Sequence, residues 1–172
     1  MAVSETIVRE YFELHDFFVR QNRKHIAPKR EDDEIDFYVH NPNGPTDGGE
    51  VPFVLENARD LETLTRAVVV VKAWHTEVFT QAVLAHAPEM FRFAGPETFA
   101  RATNAFGGPG PLTKILVIPA LPTSGEARQQ SIDLLHSKGI DAVIPFRTML
   151  SDLIEHIEVN RNYQKSDLLQ VI

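Results

Sequence analysis

The alternation of apolar and polar residues predicts a helix followed by two strands at the start of the chain. Apolar residues recur at helical spacing over residues 4–15, which predicts an amphipathic helix with Ser4 near its N-cap. Residues 17–21 begin with three apolar side chains and predict a short strand. Residues 35–40 alternate strictly, so Ile35 and the later odd-numbered positions are expected on one face of a second strand.

The strongest pattern is a predicted strand at residues 67–73, in which four consecutive valines precede Lys72. A continuous run of β-branched residues is typical of a central strand that is covered on both faces. Beyond the first helix and the two first strands, the predicted helices are 76–90, 96–105, 126–138 and one from Thr148, and the predicted strands are 51–55, 114–118 and 141–146. Helices between strands favour parallel pairing, whereas the first three main strands can form a meander. We therefore predict an α/β fold with a mixed central sheet flanked by helices.

Length and composition narrow the class of protein. The chain has 172 residues, which predicts one domain over 1–172, with a last helix from about residue 166. It contains no cysteine, which excludes disulfides, thiolate metal sites and a cysteine nucleophile. Residues 1–30 show no secretory signal, and the longest apolar run is much shorter than the roughly 20 residues of a membrane-spanning helix. We therefore expect a cytoplasmic protein without a membrane partner, and a homodimer is compatible with the sequence.

Charge is unevenly distributed along the chain. The net charge of -7 argues against nonspecific binding of nucleic acid through overall charge. However, a basic stretch over residues 20–30 directly precedes an acidic run at residues 31–34. A solvated hairpin that carries both charge signs accounts for this pattern. The alternative is a segment that contacts phosphates beside an acidic metal site.

The candidate catalytic or metal-binding residues are Asp36, Lys72 and Glu10, with Glu5 as an alternative to Glu10. A strand of four valines that ends in lysine places an ammonium at the rim of a low-dielectric core, where the charge needs a partner or access to water. Two neighbouring strands could bring Asp36 beside Lys72. An ion pair between them, without any catalytic role, is the simplest alternative.

This order of elements, with Asp36 in Glu-Ile-Asp and Lys72 in Val-Val-Lys, resembles the PD-(D/E)xK superfamily over residues 4–146. The superfamily comprises restriction-endonuclease-like and Holliday-junction-resolvase-like nucleases, and the resemblance implies a restriction-endonuclease-like αβββαβ core. It also implies that Asp36 binds Mg²⁺, or Mn²⁺ as a substitute, and that Lys72 orients or activates the attacking water. Glu10 or Glu5 would match the first-helix glutamate of the resolvase-like members, and DNA would be the substrate.

The sequence departs from the superfamily pattern at Val70, where the second metal-binding carboxylate is expected. One explanation is that another carboxylate, from Glu77, Glu56 or Glu10, takes its place. The other explanation is that the domain has kept the fold and lost the activity. His75 is a candidate for proton transfer or metal binding, although it could equally begin the next helix.

Three functions follow from these patterns. The first is a metal-dependent DNA phosphodiesterase, and the second is a catalytically inactive module on the same fold that binds nucleic acid or another protein. The third is a small-molecule enzyme with its site at the strand ends of an α/β sheet. The side chains assigned to nucleic-acid binding are Arg20, Arg23, Lys24, Lys29, Arg30 and Trp74, the last of which could instead cap the core.

Overall fold

The structure, a computed structural model, describes residues 3–22, 35–72 and 77–157. Its helices are α1 (Val3–Leu14), α2 (Ala58–Leu61), α3 (Gln81–Ala85), α4 (Pro96–Ala105), α5 (Gly125–Ser137) and α6 (Phe146–Glu155), with a 3₁₀ helix at Pro88–Ala94. Its strands are β1 (Phe18–Gln21), β2 (Phe37–His40), β3 (Arg66–Val71), β4 (Thr113–Ile118) and β5 (Ala142–Pro145). The helix predicted from about residue 166 lies outside the described residues. Within them, no helix is long and apolar enough to cross a bilayer.

The five strands form one mixed sheet in the order β1-β2-β3-β4-β5. The pairs β1–β2 and β2–β3 are antiparallel, whereas β3–β4 and β4–β5 are parallel. This arrangement follows from the connections, because a parallel pair requires a crossover and helices occupy the crossovers that follow β3 and β4. The predicted α/β fold with a mixed central sheet flanked by helices is therefore confirmed.

The valines of β3 are buried on both faces of the sheet. Val69 packs in a cluster with apolar residues of α1 and α6, whereas Val68 and Val70 pack in a second cluster with residues of α3, α4 and α5. The side chains of Val69 and Val70 are completely buried. Burying a valine side chain stabilises a fold by roughly 1.5–3 kcal/mol, so this strand is a main source of the stability of the sheet.

The two edges of the sheet differ. Residues 53–55 run beside the outer edge of β5, where the Leu55 N–H donates to Val143 O at 2.9 Å and the Val143 N–H donates to Phe53 O at 2.7 Å. These bonds flank a single bridge between Val54 and Val143, so the strand predicted at residues 51–55 is reduced to one bridge. The other edge strand, β1, pairs with β2 alone among the described residues.

The long helix predicted at residues 76–90 is shorter in the structure, and a 3₁₀ helix follows it. The Thr80 hydroxyl accepts a hydrogen bond from the Val83 N–H at 3.3 Å, which sets the start of α3 at Gln81. Pro88 then begins the 3₁₀ helix, because proline lacks the N–H that would continue an α-helix.

Polar side chains connect α1 to α6 at the margin of the first cluster. His15 Nε2 lies 2.5 Å from an oxygen of Asp152, and both side chains are largely shielded from solvent. Beside them, Tyr11 is completely buried, and its hydroxyl has no hydrogen-bond partner in the described part of the chain. Burial, followed by the negative charges of Asp152 and Asp60, raises the pKa of Tyr11 far above its ordinary value.

Replacing Tyr11 with phenylalanine should therefore weaken the alkaline pH dependence of stability. The unfolded chain releases the tyrosine proton near pH 10.0, before the folded chain does, so the stability of the wild type falls as the pH rises beyond that value. Urea denaturation between about pH 7 and pH 11 should show a smaller decline for Tyr11→Phe than for the wild type. At neutral pH the variant should be as stable as the wild type or more stable by up to about 1 kcal/mol, since it loses a buried hydroxyl to which no described residue is hydrogen-bonded. An equal alkaline decline in both proteins would contradict this assignment.

Candidate functional site

The ends of several strands lie together along one border of the sheet, which runs across the strands. We call this border the edge in the description of the site, and it is distinct from the edge strands β1 and β5. The strands β1 and β3 end there, at Gln21 and Val71, and the antiparallel strand β2 begins between them at Phe37. Asp36 and Lys72 directly flank β2 and β3. The structure therefore places these two predicted residues on neighbouring strands at the same edge, as the sequence predicted.

Asp36 is largely buried, with 6% of its surface exposed, and its backbone hydrogen bonds depart from the regular strand pattern. Its N–H donates to Val69 O of β3 at 2.9 Å, whereas its carbonyl accepts from the Asn22 N–H, next to β1, at 2.8 Å. In a regular antiparallel strand both groups of one residue bond to the same neighbour. The backbone therefore turns at Asp36 and bonds to both neighbouring strands.

The carboxylate of Asp36 acts as the acceptor for a backbone N–H of β3, in place of a backbone carbonyl. Its Oδ2 lies 2.7 Å from the Val71 N–H, the last amide of β3. A buried amide without an acceptor costs about 1–3 kcal/mol, so this bond stabilises the end of the central strand. The turn also places Ile35 in the cluster of Val68 and Val70, so the prediction that Ile35 shares a face with Phe37 is wrong.

Lys72 continues the line of β3 by one residue. Its N–H donates to Val117 O of β4 at 2.9 Å, and its side chain is half-buried. Because side chains alternate along an extended chain, Lys72 falls on the face of Val70, opposite α1. The ion pairs among the described residues do not include one between Lys72 and Asp36.

The candidate carboxylates of α1 lie on the other side of the sheet. Glu5 accepts a hydrogen bond from Gln21 Nε2 at the end of β1, at 3.1 Å, and therefore lies near this edge. Glu10, the first candidate from the sequence, instead pairs with the neighbouring Arg9 at 3.3 Å. Of the two helix carboxylates, Glu5 is thus the one connected to the strand ends.

Val70 occupies the position at which the superfamily pattern requires a glutamate. It is completely buried among apolar residues that include Ile35, Leu116 and Ile118. The side chain therefore faces the core and not the solvent at the edge. A carboxylate at this position would have to enter the apolar cluster or displace it.

The described residues offer few oxygen ligands for Mg²⁺ at this edge. This ion is usually bound by one or two carboxylates together with substrate phosphates. Asp36 supplies one carboxylate, and one of its oxygens already accepts the Val71 amide. Glu77 is exposed, and no group of three histidine, aspartate or glutamate side chains within the described ranges is placed to bind a metal ion.

Several predicted residues cannot be placed against this edge. Those that lie outside the described residues are Arg23, Lys24, Lys29, Arg30, Trp74 and His75. Arg20 is described: it is exposed on β1, with its guanidinium 5.9 Å from the centroid of the Tyr38 ring. It lies on the face opposite α1, because Arg20 pairs with Tyr38 and the alternate position Val19 packs toward α1.

A wide cleft of about 930 Å³ lies at the carboxyl ends of β4 and β5. This is where open α/β sheets commonly bind small molecules. Its charged lining is balanced: it contains Arg59, Arg128, Arg147, Glu56, Asp152 and Glu155. Arg128 and Glu56 form an ion pair at 2.8 Å, so the lining does not select a substrate of either charge.

Comparisons of the chain with protein-family models, with curated proteins and with solved structures find no match.

The sequence did not indicate a role for Asn22 or Gln21 at this edge. The backbone N–H of Asn22 donates to Asp36 O, and the side chain of Gln21 donates to Glu5 of α1. The available signal was the pair of neutral polar residues at the end of the short strand β1.

Asp36 is expected to contribute to stability through its bond to the Val71 amide. Asp36→Ala removes the acceptor and should lower the free energy of unfolding by about 1–3 kcal/mol. Asp36→Asn keeps an oxygen that can accept this bond, so it should lose clearly less. Denaturation in urea measures both variants, and equal losses would show that the negative charge, and not the acceptor, is what matters.

A glutamate at position 70 should not be tolerated. Val70→Glu would bury a carboxylate in an apolar cluster and should cost at least about 3 kcal/mol of stability. Val70→Leu is the matched control, because it changes size without adding charge and should cost less than about 1.5 kcal/mol. A Val70→Glu variant as stable as the control would mean that this position opens to water.

Proposed function

We propose that this chain is a restriction-endonuclease-like domain that binds DNA at the edge where β2 begins and β3 ends. The observation that carries the proposal is the delivery of Asp36 and Lys72 to one edge by neighbouring strands. The element order supports it, since a helix precedes the meander β1–β2–β3 and a parallel strand follows on β3. The αβββαβ core that the sequence predicted requires the same order.

Binding without hydrolysis is the function that the described geometry favours. Asp36 bonds to the backbone of β3, and Val70 is part of the apolar core. Lys72 is a half-buried lysine at the same edge, and a lysine can bind a phosphate as a point charge. Arg20 adds an exposed guanidinium on the same face. The basic residues 23–30 are proposed to extend this contact along the nucleic-acid backbone.

A metal-dependent DNA phosphodiesterase is the second candidate. It is favoured by the same adjacency of Asp36 and Lys72, because one carboxylate can bind Mg²⁺ or Mn²⁺ when phosphate oxygens of the DNA supply further ligands. Glu77 and Glu10 remain the proposed sources of a further carboxylate, with Glu5, the helix carboxylate connected to the strand ends, as the alternative to Glu10. His75 is the proposed proton donor or acceptor. When bound, the metal would polarise the phosphate and lower the pKa of a water molecule.

We also propose a cytoplasmic location and, as an alternative partner to DNA, a second copy of the chain. The uncovered edge strand β1 is the part of the described sheet at which another strand could pair. The oligomeric state, measured by sedimentation, tests the proposed pairing of two copies directly.

DNA binding should depend on salt and on Lys72. Fluorescence anisotropy with a labelled duplex should give an affinity that falls with salt, and Lys72→Gln should weaken binding and reduce the slope of log K against log salt by about 1. Lys138→Gln is the matched control, because Lys138 is an exposed lysine at the far end of α5 and should leave the slope unchanged. Equal slopes for wild type and Lys72→Gln would remove Lys72 from the interface, and the absence of binding at low salt would contradict DNA binding.

The two candidates separate in a cleavage assay with Mn²⁺. A binding module should leave labelled DNA intact with or without the metal. If the chain is a phosphodiesterase, it should cleave in Mn²⁺, and Asp36→Asn should abolish cleavage while retaining the acceptor for Val71. Cleavage that survives in Asp36→Asn would point to a contaminating nuclease and would exclude Asp36 as a metal ligand.

A further inference from the structure

The face of β1 and β2 that is opposite α1 carries aromatic and cationic side chains. Phe18 and Arg20 of β1 lie directly across from His40 and Tyr38 of β2, so all four share this face. Val68 and Val70 of β3 pack in the cluster with α3, α4 and α5, whereas the side chain of Phe18 remains 67% exposed. We call this surface, formed by Phe18, Arg20, Tyr38, His40 and Phe106, the aromatic platform.

The rings of the aromatic platform make two neighbouring sets of contacts. Phe18 stacks on His40 with centroids 6.2 Å apart and an angle of 30° between the rings. The Arg20 guanidinium lies 5.9 Å from the Tyr38 centroid, and Tyr38 contacts Phe106 edge-on at 5.8 Å. These contacts orient the rings, while the outer face of Phe18 is open to solvent.

A shallow groove of about 230 Å³ crosses the platform. It is smaller than the roughly 300–1,000 Å³ of pockets that enclose whole small-molecule ligands. Among the described residues, its lining consists of the five platform residues with Val19 and Ala105, and this part of the chain contributes one arginine and no carboxylate to it. In a chain of net charge -7, such a lining is complementary to an anionic ligand that presents flat rings.

We propose that the aromatic platform binds single-stranded nucleic acid, with an unpaired base stacked on Phe18 and the adjoining phosphate bound by Arg20. Aromatic side chains beside cations are the usual means of binding single strands, because every base offers a π-face and the backbone is anionic. A base in a duplex is already stacked and cannot use this surface. The inference rests on the proposed function and deepens it, since it names the unpaired strand as the ligand of this face.

A second copy of the chain is the competing occupant, because β1 is the uncovered edge of the described sheet. Unpaired edge strands tend to pair with one another, and the pairing of two β1 strands could cover Phe18. The platform favours nucleic acid over a second copy, since the described residues of this surface offer no carboxylate that Arg20 could meet in a symmetric pair.

Anisotropy titrations of labelled thymidine oligonucleotides of about 15 nucleotides test the proposal, with a duplex of equal length in parallel. Phe18→Ala should weaken single-strand binding about tenfold, since stacking contributes substantially for each base. Phe18→Tyr retains a stacking ring and should restore most of the affinity. Phe99→Ala is the matched control, because Phe99 is a partly exposed phenylalanine on α4 outside the platform and its loss should not change binding.

The outcomes separate this inference from the proposed function. If the duplex binds with the expected dependence on Lys72 but Phe18→Ala leaves single-strand affinity unchanged, the platform is overturned and the proposed function stands. If single strands bind through Phe18 and the duplex does not bind, the platform is supported and duplex binding at the edge is overturned. If neither probe binds, or if sedimentation shows a dimer that Phe18→Ala dissociates, the platform is overturned, in the second case in favour of a second copy.

Discussion

The burial of β3 between two unlike neighbours is the constraint on which the rest of the structure depends. This strand pairs antiparallel with β2 and parallel with β4, and its valines fill apolar clusters on both faces. A strand in this position has no solvent-facing side, so polar groups can act only at its ends. The candidate site residues Asp36 and Lys72 accordingly lie where β3 ends, and the geometry of the candidate site follows from the end of this strand.

Asp36 shows how closely support of the fold and a potential catalytic role are combined at this ending. The carboxylate that the superfamily pattern assigns to a metal completes the hydrogen bonding of Val71. A side chain can serve both purposes, because a carboxylate has two oxygens and several lone pairs. The buried valine two residues before Lys72 departs from the superfamily pattern, and it is the reason why we propose binding in preference to cleavage.

The sequence predicted the parts of the fold that local patterns determine. Four consecutive valines indicated the central strand, and short connections indicated the meander, so the adjacency of Asp36 and Lys72 could be foreseen. The turn at Asp36 could not, because it depends on which amide of a strand some 35 residues later lacks an acceptor. The open face of β1 could not be predicted either. Alternation shows that Phe18 and Arg20 share a face, but whether a helix covers that face is decided by the packing of distant segments.

The unequal borders of the sheet have a consequence for how the domain can be enlarged. Beside β5, residues 53–55 occupy the position that a sixth strand would take, and their two hydrogen bonds satisfy backbone groups there. An additional strand from an inserted segment or a fused domain would have to displace them. On the β1 side the ladder has no such obstacle within the described residues. Of the two edge strands, β1 is therefore the one beside which an added strand would displace none of the described residues, and such a strand would lie next to the platform and away from the parallel strands.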